Sequence, residues 1–167
     1  MYQSSSALVK CRGRFSNFCE QVTIRDLTTI LETLIDTAVV NKNTVLLVEA
    51  VRQALGRSLV RPLLTEDGKL TVATLDNQVE EQLAQAFDPQ AAGGRSSFQP
   101  NFVRRLLEGI KGIMGEQISA ACPTLLCGSP TRYHLRRLME PFFPKLVVLS
   151  PAEVPATVPI QSLGVVH

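Results

Sequence analysis

The amino-acid sequence predicts a mixed fold of the α+β type: a mainly helical part with a β-hairpin, followed by a small α/β part. Three observations lead to this prediction. The first third of the chain has an amphipathic helical period, an Asp-Gly dipeptide separates two β-prone stretches, and strand and helix patterns alternate toward the C-terminus. A chain of 167 residues that is 45% apolar is long enough to bury such a core.

The helical part begins with the most regular apolar period in the chain. Apolar residues recur at intervals of three and four over residues 24–39, which predicts an amphipathic helix. A second helix is expected over residues 44–59, after the helix-breaking sequence NKN at 41–43. Asp76 is a favourable N-cap for a third helix that continues to residue 87.

A hairpin is expected between the second and third helices. Asp67 and Gly68 separate the β-prone stretches 59–64 and 70–75, and an Asp-Gly pair supplies the positive φ angles of a tight turn. Two helices followed by a hairpin are also the arrangement of a winged-helix module. A winged-helix module that binds nucleic acid is therefore an alternative function.

The C-terminal part mixes strands and helices. Strands are expected at residues 124–127, 146–149 and 158–166, and a helix opens at Ser129 between the first two. A strand, a helix and a second strand joined by short connections predict parallel pairing of those two strands. A further helix over residues 100–118 precedes them.

A boundary is expected near the middle of the chain. Residues 88–99 read DPQAAGGRSSFQ and have no apolar period, which is typical of a linker. We therefore expect a helical subdomain at 22–87 and an α/β subdomain at 100–167, each with its own core. The residues expected in the first core are Leu27, Ile30, Leu31, Leu34 and Leu55. The residues expected in the second core are Leu125, Leu126, Leu138, Val147, Val148 and Ile160.

Composition argues against several classes of function. The net charge is only +2, aromatic residues make up 5% of the chain, and Trp is absent. These values disfavour a surface that coats or stacks on nucleic acid. No apolar run approaches the roughly 20 residues of a membrane-spanning helix, and the N-terminus lacks a signal peptide. The chain as given is expected to be cytoplasmic and to make no membrane contact itself.

No motif predicts catalysis, a metal site or a cofactor. The four cysteines form no Cys-x-x-Cys pair and are expected to be reduced thiols. A small enzyme that uses His134 or Cys127 is a competing class, but neither residue has a local carboxylate partner. The basic cluster Arg132, Arg136 and Arg137 could contact an acidic partner or phosphate; the alternatives are a solvated helix face or pairing with Glu140 and Glu153. The sequence therefore predicts a protein that is not an enzyme.

Three ordered blocks of sequence carry a family resemblance. VTIRDLTTILETL spans residues 22–34, VRQALGR spans 51–57, and LLCGSPTRYHLRRLMEPFFPKLVVLSPAEVPATVPIQSLGVV spans 125–166. Together they resemble the C-terminal cytoplasmic region of the FlhA-type export-gate proteins of flagellar and injectisome type III secretion. The residues of the last block resemble the flagellar branch more than the injectisome branch.

The resemblance implies a role in protein export. Members of this family carry a membrane domain followed by a cytoplasmic region, which forms a homo-oligomeric ring and receives export substrates and their chaperones. The matched blocks correspond to the last two cytoplasmic subdomains, the first helical and the second α/β. The resemblance also implies contacts with other proteins of the export apparatus and an inner-membrane parent protein. Residues 1–21 depart from the family pattern and form a divergent N-terminal segment.

Partner-binding residues are expected on the first matched helix and on the helix that follows it. Charged side chains on an assembly helix set register and partner choice. The residues expected to bind partners are Arg25, Asp26, Thr29, Glu32, Arg52 and Arg57. A purely structural role is the alternative, in which Asp26 is a helix-start acid and the others form a solvated face.

Overall fold

A computed structural model describes residues 26–87, 100–115 and 123–167. Six α-helices and four β-strands lie in these ranges. The helices are α1 (Leu27–Val40), α2 (Thr44–Ala54), α3 (Gly56–Val60), α4 (Asn77–Phe87), α5 (Pro100–Met114) and α6 (Ser129–Met139). The strands are β1 (Leu70–Leu75), β2 (Thr124–Leu126), β3 (Val147–Leu149) and β4 (Ile160–Val166). The divergent segment 1–21, Arg25 and the predicted linker 88–99 lie outside the described residues.

The four strands form one parallel sheet in the order β3-β2-β1-β4. The mixed fold class and the parallel pairing of β2 with β3 are both confirmed. β1 occupies the interior of the sheet, where β2 and β4 pair with its two edges. The helix that follows β1 begins as expected, because the backbone N–H of Gln78 donates to the carboxylate of Asp76.

The predicted hairpin is wrong. Residues 59–64 are not a strand: they contain the end of α3 and a 3-10 turn at Arg61–Leu63, and only Leu64 forms an isolated bridge to Leu70. Pro62 lies in the 3-10 turn, where its lack of an N–H group costs nothing. β4 pairs along the whole of β1 and β2 pairs at Ala73 and Thr74, so Leu64 adds a single antiparallel bridge at the first residue of β1 instead of a strand. Gly68 has the positive φ that an Asp-Gly turn requires, so the turn itself is correct.

The sheet has an apolar cluster on each face. Along β1, Ala73 and Leu75 belong to one cluster, while Leu70 and Val72 belong to the other. The larger cluster is completed by α4, α5 and α6. The smaller cluster is covered by α3, the 3-10 turn and the loop before β4. Strands and helices from both sides of residues 88–99 therefore share these cores, so the predicted boundary does not separate two independently packed units.

Helices α1 and α2 form a pair with a small core of its own. Ile30 of α1 packs against Val51 and Leu55, and Leu34 adds to this contact. Three residues expected in the cores are instead substantially exposed: Leu27, Leu31 and Ile160 have 50%, 49% and 50% of their surface open to solvent. Leu27 and Leu31 lie beside the row of Ile30 and Leu34 that packs on α2, and Ile160 begins an edge strand.

Candidate interaction surfaces

The residues predicted to bind partners at the start of α1 are arranged as a helix cap. Asp26 accepts a hydrogen bond from the backbone N–H of Thr29 at 3.4 Å and another from its hydroxyl at 2.7 Å. Asp26 and Glu32 are exposed and Thr29 is half-buried. Asp26 thus satisfies one of the N–H groups that a helix start leaves unpaired. A partner contact by Asp26, Thr29 or Glu32 stays a prediction, as does one by Arg25.

Arg52 cannot face a partner, so its assignment as a binding residue is wrong. Only 2% of its surface is exposed. Its Nε donates to Oε1 of Glu153 at 2.7 Å, and its Nη2 donates to Oε2 of the same carboxylate at 3.2 Å and to the Val148 carbonyl at 3.4 Å. A buried guanidinium with these partners serves the fold. Arg57, on α3, is exposed as a binding residue would have to be.

Arg52 belongs to a buried ion-pair network with Glu49, Arg132 and Glu153. Arg132 is 1% exposed and its guanidinium contacts Glu49 at 2.5 and 2.8 Å, while its Nε lies 3.6 Å from Oε1 of Glu153. Burial raises the pKa of Glu49, and the hydrogen bond from Arg132 opposes that rise. The two positive charges of the arginines balance the two negative charges of the glutamates. Their ion pairs join α2 to α6 and to the 3-10 turn Pro151–Glu153. The predicted pairing of the basic cluster with Glu153 is confirmed for Arg132.

The outer face of α1 carries several large apolar side chains that are open to solvent. Leu27, Leu31 and Ile35 are spaced by four residues and therefore lie along one side of the helix. They are 50%, 49% and 65% exposed, and Val39 extends the row at 83%. We call these four residues the outer face of α1. A contiguous apolar surface of this kind is typical of an interaction site.

Sequence reasoning missed the outer face because it assigned Leu27 and Leu31 to the core. A signal was nevertheless present. The apolar positions of α1 form two adjacent rows, Ile30 with Leu34 and Leu27 with Leu31 and Ile35, so the apolar arc is wider than one neighbouring helix can cover.

His134 and Cys127 are not arranged for catalysis. The His134 ring stacks on Phe87 with ring centroids 4.4 Å apart and meets Tyr133 edge-on at 5.1 Å. Burial and the nearby Arg137 lower the pKa of His134. Burial raises the pKa of the Cys127 thiol, which disfavours the reactive thiolate. Within the described ranges, no group of His, Cys, Asp or Glu side chains could hold a metal ion.

The winged-helix alternative fails on the same geometry. Its wing is the hairpin that the structure lacks between α2 and β1. Its recognition helix would be α2, but Arg52 of α2 is buried and ion-paired. Phosphate binding requires several exposed cations, and the predicted helix 44–59 is left with Arg57 alone.

The comparisons with known proteins decide the family. The model of the FHIPEP family matches residues 17–159, which is most of the chain. The chain belongs to the FHIPEP family. This confirms the family resemblance drawn from the three sequence blocks. In the parts of this FHIPEP chain that the structure describes, no helix is both long and apolar enough to cross a membrane.

Relatives of this FHIPEP chain come from flagellar and type III secretion systems. The flagellar biosynthesis protein FlhA of Bacillus subtilis is 36% identical over 149 residues, which cover 88% of this chain and 22% of that protein. The structure of the Chlamydia pneumoniae CdsV protein matches with a TM-score of 0.82 and 31% identity, over 92% of this chain and 45% of that one. The nonameric SctV-C assembly of EPEC matches with a TM-score of 0.79 and 28% identity, over 92% and 46%. The chain therefore spans about a fifth of the curated relative and less than half of the solved structures.

Proposed function

We propose that this chain is the C-terminal cytoplasmic part of an export-gate subunit in a type III protein export apparatus, and that it takes part in ring assembly. Membership of the FHIPEP family and the likeness to a nonameric SctV-C assembly support this proposal. The identity to a flagellar biosynthesis protein favours flagellar export over an injectisome. The proposed role is binding rather than catalysis, and it requires no cofactor.

The observation that carries the assembly role is the outer face of α1. Leu27, Leu31, Ile35 and Val39 leave this side of the helix apolar and exposed, although the adjacent row of Ile30 and Leu34 already packs against α2. Glu32 and Asp36 are exposed next to it and give the face a charged rim. A second copy of the chain is the proposed occupant. Burial of such a face between subunits would contribute about 25 cal/mol for each Å² of apolar surface removed from water.

Docking of export substrates and chaperones is the second part of the proposal. The Chlamydia pneumoniae relative has also been solved in a complex with the CdsO protein, which supports the binding of further apparatus proteins by this kind of domain. Exposed Arg57 and Glu32 are the charged residues proposed to select such partners.

Sedimentation velocity over a concentration series tests the assembly role. The comparison uses this chain, a chain extended upstream through the rest of the cytoplasmic region, and both chains carrying Ile35→Glu. A carboxylate buried at a subunit contact is costly, so Ile35→Glu is expected to shift association to a concentration at least tenfold higher. Ala84→Glu, which adds the same charge at an exposed position of α4, is expected to leave association unchanged.

Two results would contradict the proposal. If neither chain associates at any concentration, the assembly role is wrong. If both associate but Ile35→Glu and Ala84→Glu behave alike, assembly uses another surface and the outer face of α1 is not the contact.

A further inference from the structure

A cleft lies between α3 with its following 3-10 turn and the segment that joins α6 to β3. Its volume is about 190 Å³. Leu59 and Leu63 line it from one side, and Leu146, Val147 and Leu149 line it from the other. We call it the α3–β3 cleft. No residue of α1 lines it, so it is separate from the outer face of α1.

The charged groups that line the α3–β3 cleft are all cations. Among the described residues, Arg52, Arg136 and Lys145 contribute to the lining, and no carboxylate does. The charge of Arg52 is already balanced by Glu153. Arg136 donates from Nη2 to the carbonyl of Pro144 at 3.3 Å, which holds its guanidinium beside the cleft, and Lys145 is exposed. The cleft therefore combines an aliphatic lining with positive charge.

Size and chemistry restrict what the cleft can accept. Small-molecule and cofactor sites usually measure about 300–1,000 Å³, whereas this cleft has room for one or two side chains. The part of the chain that the structure describes contributes no aromatic ring to the lining on which a base could stack. An aliphatic side chain fits the apolar lining, and a neighbouring carboxylate would meet Lys145 and Arg136.

We propose that the α3–β3 cleft binds an acidic segment of a partner protein, which inserts one apolar side chain and places carboxylates beside Lys145 and Arg136. Charge complementarity determines which partner binds, because a cationic rim attracts acidic chains and repels basic ones. The proposal is independent of ring assembly, since the described residues that line the cleft all belong to one chain.

Titration of ¹⁵N-labelled chain with peptides tests the inference by NMR. The probe is a pool of capped hexapeptides with a central Leu flanked by Asp and Glu. One comparison pool replaces the acids with Lys and Arg, and another replaces the Leu with Ser. The acidic pool is expected to shift the amide resonances of Leu63, Lys145 and Val147. The basic pool is expected to cause no shift, and the Ser pool is expected to bind more weakly.

Two matched charge reversals locate the site. Lys145→Glu is expected to weaken binding of the acidic pool about fivefold or more. The variant loses one partly exposed ion pair and adds repulsion between Glu and the acidic peptide. Lys111→Glu reverses the charge of an exposed lysine on α5 and is expected to change nothing. Equal weakening by both variants would show binding through net charge alone and overturn the proposal. Shifts confined to residues outside the cleft, or none at millimolar peptide, would also overturn it.

Discussion

The helical pair α1–α2 and the α/β unit bury their apolar residues to very different extents. Around the sheet, Leu83, Ile110, Leu125 and Leu135 are fully buried between strands and helices. In α1, Ile30 is the buried residue, and the outer face remains open. This contrast indicates that the α/β unit supplies most of the stability, while the helical pair supplies surface. The buried ion-pair network joins the two regions, so the strongest tests of the contrast lie there.

The largest loss of stability is expected from Glu153→Gln. The substitution keeps the shape of the side chain but leaves Arg52 and Arg132 buried with one carboxylate between them. Breaking a buried ion pair from one side costs about 3–5 kcal/mol. Urea denaturation followed by circular dichroism measures the free energy of unfolding. Glu140→Gln, at an exposed position, is the control. Equal losses in the free energy of unfolding for the two variants would show that the network does not hold the regions together.

A pair of leucine truncations compares the two regions directly. Leu125→Ala removes a fully buried side chain from β2 and is expected to lower the free energy of unfolding by about 2–5 kcal/mol. Leu31→Ala acts on the outer face of α1, where half of the side chain is already exposed, and is expected to cost about 1 kcal/mol or less. Similar losses in urea denaturation would contradict the division between a stable unit and a surface unit.

Gly56→Ala tests how closely the two regions pack at α3. A Cβ atom at position 56 would collide with the backbone carbonyl of Glu153, which cannot move without shifting the 3-10 turn. Such overpacking typically costs about 1–3 kcal/mol. Gly112→Ala is the control: its Cβ would meet nothing within 4 Å at this exposed position of α5, so the protein is expected to gain up to about 1 kcal/mol of stability. A thermal melt in which both variants gain stability would rule out the close approach.

The smallest effect is expected from the titration of His134. Burial lowers the pKa of this ring in the folded chain. The unfolded chain therefore binds more protons than the folded chain as the pH falls through the pKa of about 6.5 that histidine has when unfolded. His134 therefore contributes to a loss of stability between pH 7.5 and pH 5.5. His134→Phe keeps the stacking on Phe87 and removes the titration, so its free energy of unfolding should fall less over this range. If the free energy of unfolding decreases equally in His134→Phe and in the unmodified chain, other titrating groups account for the whole decrease.

Local and periodic features of this protein were predictable from the sequence. The helix that became α1 and the helix start at Asp76 depend on residues close together in the chain, and the parallel pairing of β2 with β3 depends on the short connections on either side of α6. Such features follow from capping, periodicity and short connections, which act within one or two turns of backbone. The family was also recognisable, because it is carried by ordered blocks of residues.

Only the tertiary structure decided which charged residues are buried and which helix faces are exposed. The prediction for Arg52 was wrong because its partner, Glu153, is distant in the sequence, and nothing near Arg52 signals its burial. The hairpin prediction failed because β1 pairs with β2 and β4, which come much later in the chain. Periodicity identified both apolar rows of α1 but not which row α2 would cover. Burial depends on contacts between distant segments, so the sequence alone determined most of the elements and the family, whereas packing decided which residues became core and which became surface.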